Sequence, residues 1–330
     1  MTSHTLIPFD KELVGVLQAL GTRAPLCRQS LGFLRRIVNG KSTAEAVLID
    51  PEIAHEARTI DSPDGRQLDV AILRRKDFTA GPLSTPPSAA VYFIHGGGMV
   101  AGTRFSDISA LFGWIKACNI VMVSVEYRLA PEHPYPAALE DCYAGLQWLF
   151  ASTSELHIDP RRIILAGASA GGGLAAGVAL LSRDRGGPRV MAQCLMYPML
   201  DHTTSSASSK QYMTEGLWTG ASNIAAWDMY LAGVKEGDHE RETLVYAVPG
   251  RAADVSGLAQ TFIDVGSAEP FRDEDINFAQ KLSEQGVPVE LHVWPGAWHG
   301  FDQLVPTAQV SQDCAQARLA WLKRVLRNAK

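Results

Sequence analysis

The chain has 330 residues, of which 46% are hydrophobic and 20% are charged. A chain of this size and composition buries roughly three quarters of its unfolded surface, which excludes a disordered protein. There are 30 basic and 35 acidic residues and no long basic run, so neither nucleic acid nor an anionic membrane is expected as the main partner. A neutral or weakly polar small molecule is the better candidate.

The cysteine pattern and the amino terminus argue against several further classes of protein. The five cysteines are odd in number and widely spaced, with no C-x-x-C pair, so buried thiols are predicted rather than a zinc site or a disulfide framework. Residues 1–10 carry no basic segment leading into an apolar run, and no stretch reaches the roughly 18 apolar residues of a membrane span. We expect a cytoplasmic protein without a membrane span, a metal or a cofactor.

Most of the chain alternates short apolar runs with longer helical patterns, which is typical of βαβ units around a mostly parallel sheet. Two runs with a more alternating pattern, 55–60 and 68–73, come first, and the residues of Ser62-Pro63-Asp64-Gly65 between them favour a hairpin turn, so antiparallel strands are predicted at one edge of the sheet. Buried strands are then predicted at 90–94, 120–125, 162–166, 192–197, 260–265 and 289–293. Helices are predicted at 106–118, 136–150, 170–181, 273–285 and 307–327.

Two segments break this alternation. In the first forty or so residues, apolar positions such as Leu13 and Leu17 recur at helical spacing and no strand follows. The segment 201–247 opens with a Ser/Thr cluster and carries large apolar residues at a helix-like period. We therefore predict a sheet core formed by 46–200 and 248–330, and helical additions formed by 1–45 and 201–247.

The strongest motif is Gly167-Ala168-Ser169-Ala170-Gly171, which follows an apolar run and precedes a small-residue helix. This is the strand-turn-helix context of a G-x-S-x-G nucleophile elbow. Glycines flank the serine because the turn is sharp and a Cβ there would collide with the neighbouring strand or helix. The motif predicts Ser169 as a nucleophile, with a purely structural glycine turn as the alternative.

A second motif, His95-Gly96-Gly97-Gly98, directly follows the predicted strand 90–94. Three consecutive glycines cost conformational entropy, and one reason to keep them is to present backbone N–H groups to a developing oxyanion. In such sites the N–H of the residue after the nucleophile, here Ala170, adds a further donor. A plain loop or an anion-binding nest is the alternative for the tetrad.

A nucleophilic serine needs a base, and the base needs an orienting acid. His299 lies in a predicted loop between the last strand and the final helix, which favours it as the base. His95 is its main competitor, although a histidine before three glycines fits a role in bracing that loop. The acid is expected after strand 260–265, where Glu269 is the first carboxylate. Asp273 is the rival, but it starts a helix, where a carboxylate commonly caps free N–H groups.

These motifs resemble the hormone-sensitive-lipase-like branch of the α/β-hydrolases, the carboxylesterases often called family IV. The resemblance extends over about residues 92–301. Besides the tetrad and the elbow, it rests on Tyr127-Arg128-Leu129-Ala130-Pro131-Glu132-His133-Pro134-Tyr135-Pro136-Ala137-Ala138, on Ile158-Asp159-Pro160-Arg161-Arg162-Ile163 and on Tyr197-Pro198. It implies an α/β-hydrolase fold, with a mostly parallel central sheet flanked by helices and a helical cap made from 1–45 and 201–247.

The resemblance also implies roles for individual residues: Ser169 as nucleophile, His299 as base, Glu269 as acid, and Gly97, Gly98 and Ala170 as oxyanion donors. Two positions depart from the family pattern. Ala168 stands where many relatives carry aspartate or threonine, so no polar network runs through that side chain. Glu269 stands where most relatives have aspartate, although a triad of serine, histidine and glutamate is chemically sound.

The stretch 127–138 carries charges to which the resemblance assigns no chemistry. We expect Arg128, Glu126 and Glu132 to form a half-buried polar brace near the site, with Asp141 facing the same region from the next helix. Side chains predicted to line the substrate pocket, or else to form the core of the cap, are Met99, Phe105, Tyr197, Met213 and Trp218.

The implied activity is hydrolysis of short- to medium-chain soluble carboxylic esters through an acyl-enzyme, with a small ester and water as the only partners. A lactonase, an aryl-ester hydrolase and an acyl transferase would use the same residues and stay open. A non-catalytic receptor of the same fold is the alternative from another class, against which the presence of His299 argues. A homodimer through 289–293 or 307–327 is a further expectation.

Overall fold

The computed structural model describes residues 5–21, 24–62, 65–78, 86–232, 234 and 244–328. Its strands are β1 (Ile53–Asp61), β2 (Gln67–Arg75), β3 (Ser88–Ile94), β4 (Val121–Val125), β5 (Ile158–Ala168), β6 (Ala192–Met196), β7 (Gln260–Gly266) and β8 (Val289–Trp294). Its helices are α1 (Lys11–Leu20), α2 (Leu31–Lys41), α3 (Ala44–Val47), α4 (Phe112–Cys118), α5 (Ala137–Ala151), α6 (Ala170–Asp184), α7 (Ala207–Gln211), α8 (Gly220–Tyr230), α9 (Leu244–Ala247), α10 (Arg272–Glu284), α11 (Phe301–Leu304) and α12 (Gln309–Asn328).

The eight strands form one sheet in the order β1-β2-β4-β3-β5-β6-β7-β8. Neighbouring strands run parallel from β4 through β8, while β1 pairs with β2, and β2 with β4, in antiparallel register. The mostly parallel α/β sheet and its antiparallel edge are therefore as predicted. Two residues of the predicted hairpin turn, 63 and 64, lie outside the described residues.

Burial along the strands follows their place in the sheet. Apart from residues 159–162 at the start of β5, almost every residue of β3 through β7 is buried, because helices cover both faces of a parallel sheet. At the edge, β8 is only partly buried, and Leu291 and Val293 keep 36% and 38% of their surface exposed. The carboxyl ends of the parallel strands meet at one edge of the sheet.

The helix predicted at 106–118 begins later than expected. A 3-10 turn over Ile108–Leu111 precedes α4, which starts at Phe112. The residue before the turn, Asp107, has φ 66° and ψ −10°, a left-handed backbone that cannot continue a right-handed helix. The predicted strands and the other predicted helices are confirmed, with boundaries that shift by a few residues.

The amino-terminal segment is helical and packs on the sheet core at two places. Leu13 of α1 is fully buried beside Trp298 and Phe301, and the Asp10 N–H donates to the Gly296 carbonyl at 2.9 Å. Arg35 of α2 donates to the Val100 carbonyl at 2.7 Å. Both helices therefore contact loops at the carboxyl edge of the sheet.

The segment between β6 and β7 contributes α7, α8 and α9, outside the sheet as predicted. The hydroxyls of Ser206 and Thr219 accept N–H groups at the starts of α7 and α8, which fixes where these helices begin. Tyr212 donates to the Ile7 carbonyl at 2.9 Å, and the hydroxyl of Ser222 accepts the Leu26 N–H at 3.0 Å. The insertion thus contacts the amino-terminal segment; its residues 233 and 235–243 lie outside the described residues.

Two expectations from the sequence are wrong. Arg128, Glu126 and Glu132 do not form the single polar brace that was predicted. Arg128 pairs with Asp141, Glu126 with Arg104, and Glu132 with Arg35. Not every cysteine is a buried thiol either, since Cys27 is exposed and Cys118 half-buried. No helix in the described ranges combines the length and the apolar character needed to cross a membrane.

An acid without a hydrogen-bond partner among the described residues lies on the buried side of α10. Asp275 is fully buried, and neither of its carboxylate oxygens has a hydrogen-bond partner among the described residues. Burial raises the pKa of Asp275 well above its ordinary value of 3.8, and the neighbouring carboxylates of Glu274, Glu269 and Asp264 raise it further. The folded chain therefore holds a proton on Asp275 that the unfolded chain releases above about pH 4, so a rise in pH favours unfolding.

Asp275→Asn keeps the shape of the side chain and cannot ionise. At pH 8 we expect this variant to melt about 2 °C or more above the native protein, with the difference shrinking as the pH falls towards 4. Thermal unfolding followed by circular dichroism across this pH range measures it. The exposed Asp228 of α8 provides the control Asp228→Asn, which should not change the melting temperature. A lower melting temperature for Asp275→Asn at pH 8 would contradict the expectation.

Candidate active site

Ser169 occupies a sharp turn between β5 and α6. Its backbone has φ 56° and ψ −122°, a region that residues other than glycine rarely adopt. A Cβ on Gly167 would lie 2.1 Å from the Gly171 carbonyl oxygen, and one on Gly171 would lie 2.1 Å from the Ile94 carbonyl oxygen. The glycines of the motif are required because α6 starts in backbone contact with the ends of β3 and β5.

The side chains of Ser169, His299 and Glu269 form one hydrogen-bonded chain, although they come from distant parts of the sequence. The Ser169 hydroxyl lies 2.8 Å from Nε2 of His299, and Oε2 of Glu269 lies 2.5 Å from Nδ1. An ionised carboxylate only accepts hydrogen bonds, so Nδ1 carries the proton and Nε2 is free to accept the serine hydroxyl. The arrangement lets His299 take a proton from Ser169.

Burial and a second hydrogen bond hold Glu269 in place. The Glu269 side chain is fully buried, and its other oxygen, Oε1, accepts the Gly266 N–H at 2.8 Å. The His299 ring is itself buried and meets the ring of Phe271 edge-on at 4.9 Å. Glu269 therefore has one oxygen for the backbone and one for the imidazole.

Asp273, the rival acid, has other partners. Its carboxylate accepts the Ser208 N–H at 2.7 Å and pairs with Arg272 at 2.8 Å. It makes no hydrogen bond to His299. Asp273 thus caps a helix as expected of its type, but the helix is α7 rather than its own.

The glycines of the tetrad adopt backbone conformations that other residues avoid. Gly97 has φ 113°, and a Cβ there would lie 2.0 Å from the Ala101 carbonyl oxygen. Gly98 has φ 64°, and a Cβ there would lie 2.6 Å from Cη2 of Trp218. The N–H groups of Gly97, Gly98 and Ala170 donate to no other described residue, so all three are available as donors beside Ser169.

His95 braces the tetrad and does not contact Ser169. Its Nδ1 lies 2.7 Å from the Gly96 carbonyl, and its ring stacks on Tyr127 at 4.1 Å. Tyr127 in turn donates to the His95 carbonyl at 2.9 Å. Burial lowers the pKa of His95 to about 4, so the ring is neutral at physiological pH. Of the two candidate bases, only His299 is within hydrogen-bond distance of Ser169.

A buried ionic network below His299 was not identified from the sequence. Tyr197 meets the His299 ring edge-on at 4.9 Å and donates to Asp302 at 3.1 Å. Arg318 pairs with Asp302 at 2.5 Å and with Asp264 at 2.8 Å. Although burial opposes its charge, these two carboxylates raise the pKa of Arg318. Asp302 stands three residues after His299, but no sequence pattern links it to an arginine in α12.

Two of the predicted pocket residues lie beside the histidine. The Trp218 ring lies against Gly98 and has its centroid 6.4 Å from that of His299. Tyr197 contacts the His299 ring from another side, and its hydroxyl donates a hydrogen bond to Asp302. Trp218 is therefore the pocket candidate that lies against the glycine tetrad and close to His299.

The other three pocket candidates have contacts elsewhere. Met99 is fully buried in the main core. Phe105 meets His55 of β1 edge-on at 5.4 Å, and Met213 packs beside Gly220 at the start of α8. Met99 and Phe105 thus belong to the main core, whereas Met213 is half-buried.

Comparison with known proteins agrees with this geometry. A family model described as the α/β-hydrolase fold matches residues 91–303. The carboxylesterase NlhH of Mycobacterium tuberculosis is 37% identical over 240 residues, which cover 72% of this chain and 73% of that protein. The esterase LipI of the same organism is 34% identical over 277 residues, which cover 80% and 83%.

Similarity to a solved structure extends over nearly the whole chain. A bacterial heroin esterase superposes with a TM-score of 0.87 at 34% identity, covering 97% of this chain and 98% of that one. The family model matches more than half of the chain, and the matched region contains the glycine tetrad, Ser169, Glu269 and His299. The chain therefore belongs to the α/β-hydrolase family, and it is a serine ester hydrolase of the carboxylesterase type.

Proposed function

We propose that this ester hydrolase acts on short- to medium-chain soluble carboxylic esters through an acyl-enzyme on Ser169. The observation that carries the proposal is the hydrogen-bonded chain from Ser169 through His299 to Glu269. The backbone N–H groups of Gly97, Gly98 and Ala170 have no partner among the described residues, and Ala170 directly follows that serine. Nucleophile, base, orienting acid and oxyanion donors are the parts that acyl transfer needs.

In the first half-reaction, Oγ of Ser169 attacks the ester carbonyl carbon while Nε2 of His299 takes the hydroxyl proton. The carbonyl oxygen becomes an oxyanion, to which the N–H groups of Gly97, Gly98 and Ala170 donate. The bond to the alcohol oxygen then breaks, and His299 gives the proton to that oxygen. An acyl-enzyme and a free alcohol result.

In the second half-reaction, His299 takes a proton from water as its oxygen attacks the acyl carbon. Collapse of the second oxyanion breaks the bond to Oγ, and Ser169 recovers its proton from His299. The carboxylic acid leaves, and the enzyme returns to its starting state. Throughout, Glu269 holds Nδ1 protonated and stabilises the imidazolium that forms in each half.

The helices outside the sheet enclose a small cavity near the loop that carries His299. We assign 1–45 and 201–247 to a discontinuous cap over a catalytic core of 46–200 and 248–330. A cavity of about 320 Å³ lies between α1 and residues 214–217. Leu217 in its lining lies 3.8 Å from where a Cβ on Gly300 would be, next to His299. A cavity of this volume fits a small ligand.

Aryl esters and lactones belong in the same substrate screen, because they react through the same residues. A structural neighbour that superposes over 97% of this chain is a heroin esterase, which favours testing bulky esters beside simple alkyl ones. A comparison of hydrolysis rates for esters of different acyl length, aryl esters and lactones identifies the preferred class of substrate. Product analysis with competing alcohols separates hydrolysis from acyl transfer.

Two broader expectations are also proposals. A homodimer through β8 is supported by the place of β8 at the sheet edge and by its exposed Leu291 and Val293. Analytical ultracentrifugation tests it, and Val293→Lys should shift a dimer towards monomer.

A cytoplasmic location stays a prediction from the sequence, which cell fractionation tests.

Ser169→Ala removes the nucleophile and should lower turnover of p-nitrophenyl butanoate by about a millionfold. The variant should also fail to react with a fluorophosphonate probe, which an active serine captures covalently. Ser109→Ala, at an exposed serine before α4, is the matched control and should keep native turnover. Native turnover by Ser169→Ala would refute the proposed function.

Glu269→Gln should lower kcat by about 10³- to 10⁴-fold, because an amide can donate to Nδ1 of His299 and so favour the wrong tautomer. Asp273→Asn should stay within about threefold of the native kcat, since Asp273 caps α7 and does not contact His299. Steady-state kinetics on one short ester compares the two. Loss of activity in Asp273→Asn alone would transfer the acid role to Asp273.

Trp218→Ala should raise the ratio of kcat/KM for p-nitrophenyl octanoate to that for the butanoate by about tenfold. The reason is that the variant opens the space against Gly98 that the indole fills. Trp148→Ala provides the control, because this half-buried tryptophan lies on α5 and packs against Arg58. An unchanged ratio in Trp218→Ala would mean that this indole does not limit chain length.

A further inference from the structure

Asp107 is the last residue of the segment between the glycine tetrad and the 3-10 turn before α4. Its backbone is left-handed, with φ 66° and ψ −10°. This conformation is unfavourable for residues other than glycine, although aspartate and asparagine tolerate it better than most. Backbone strain of this kind clusters at functional sites.

The Asp107 carboxylate lies between the tetrad and the nucleophile. Its Oδ2 accepts the Gly96 N–H at 3.0 Å. A Cβ placed on Gly96 would lie 3.0 Å from that same oxygen and 3.3 Å from Cβ of Ser169. The carboxylate thus fixes the peptide that precedes the two proposed oxyanion glycines, and it does so beside the serine.

No cationic side chain in the described ranges forms an ion pair with Asp107. The titratable groups that face it are His299 and Asp302 from the region after β8, Tyr197 from the end of β6, and Tyr127 from the end of β4. Arg318 is engaged by Asp302 and Asp264. The positive charge that Asp107 meets is therefore the one that His299 acquires during the reaction.

Its surroundings make the charge of Asp107 costly. Burial raises the pKa of Asp107 above its ordinary value, and the negative charge of Asp302 raises it further. The hydrogen bond from the Gly96 N–H and the positive charge of His299 lower the pKa, but they do not cancel the rise. A positive His299 thus favours an ionised Asp107. By linkage, an ionised Asp107 favours a positive His299 to the same extent.

We propose that Asp107 is a positioning residue with two effects: it holds the oxyanion loop through the Gly96 N–H, and it stabilises the His299 imidazolium with a second negative charge beside that of Glu269. This inference rests on the proposed function, because it assumes that Ser169 and His299 carry the reaction. Substitutions of Asp107 can remove its charge alone, or its charge together with its hydrogen bond to Gly96.

Asp107→Asn retains an oxygen that can accept the Gly96 N–H and a residue type suited to the left-handed backbone, but it removes the charge. Asp107→Gly fits the backbone without strain and removes both the acceptor and the charge. Asp228→Asn, at an exposed position of α8, is the control for a change in net charge.

For Asp107→Asn, the acid limb of kcat/KM against pH should move to lower pH by about half a unit or more, because an imidazolium without this carboxylate loses its proton more readily. For Asp107→Gly, kcat on p-nitrophenyl butanoate should fall about 100-fold with KM within about threefold, as expected when oxyanion donors lose their alignment. Asp228→Asn should match the native protein in both measurements.

The proposal is overturned if the pH profile of Asp107→Asn superimposes on the native one, or if Asp107→Gly keeps kcat within about threefold. Melting temperatures of both variants are measured alongside: a lowered value with native kinetics assigns Asp107 a purely structural role and also overturns the proposal. Failure of the proposed function is distinguishable, because it would be seen as turnover by Ser169→Ala whatever the Asp107 variants do.

Discussion

The site depends on one strained residue, Ser169, held in a backbone conformation that only its surroundings can impose. Its N–H donates to the Met196 carbonyl at the end of β6, and its carbonyl accepts the Met199 N–H. The glycines around it let α6 approach the strand ends so closely that a Cβ on Gly173 would lie 2.1 Å from the Met199 carbonyl oxygen. Because this packing fixes the serine backbone before any substrate binds, the hydroxyl needs little reorganisation during the reaction.

The electrostatics of the site follow from which charges are buried with His299. Arg318 meets two carboxylates, Asp302 and Asp264, so that buried group has an excess of negative charge. Glu269 adds a third carboxylate in direct contact with the imidazole. In a low-dielectric interior such an excess stabilises the positive charge that the His299 imidazole carries when it takes the serine proton.

Local chemistry was predictable from the sequence, and pairings between distant segments were not. The elbow at Ser169 and the glycine tetrad follow from steric rules within a few residues, so their context and conformation match the prediction. The pairing of Arg318 with Asp264 joins residues 54 positions apart, and that of Arg35 with Glu132 joins residues 97 apart. Such contacts depend on how the helices pack on the sheet, which no periodicity encodes. The late start of α4 was not predictable either, because it follows from the left-handed backbone of Asp107.

The helices outside the sheet contact the loops that carry His299 and the glycine tetrad. Leu13 of α1 packs on Trp298, the residue before His299, and Arg35 of α2 holds the carbonyl of Val100 just after the tetrad. Trp218, from the insertion, lies directly on Gly98. A substitution that reshapes this cap therefore acts on the loops that carry the base and the oxyanion donors. Specificity and rate are physically coupled in this chain, and a change in chain-length preference should be accompanied by a change in kcat as well as in KM.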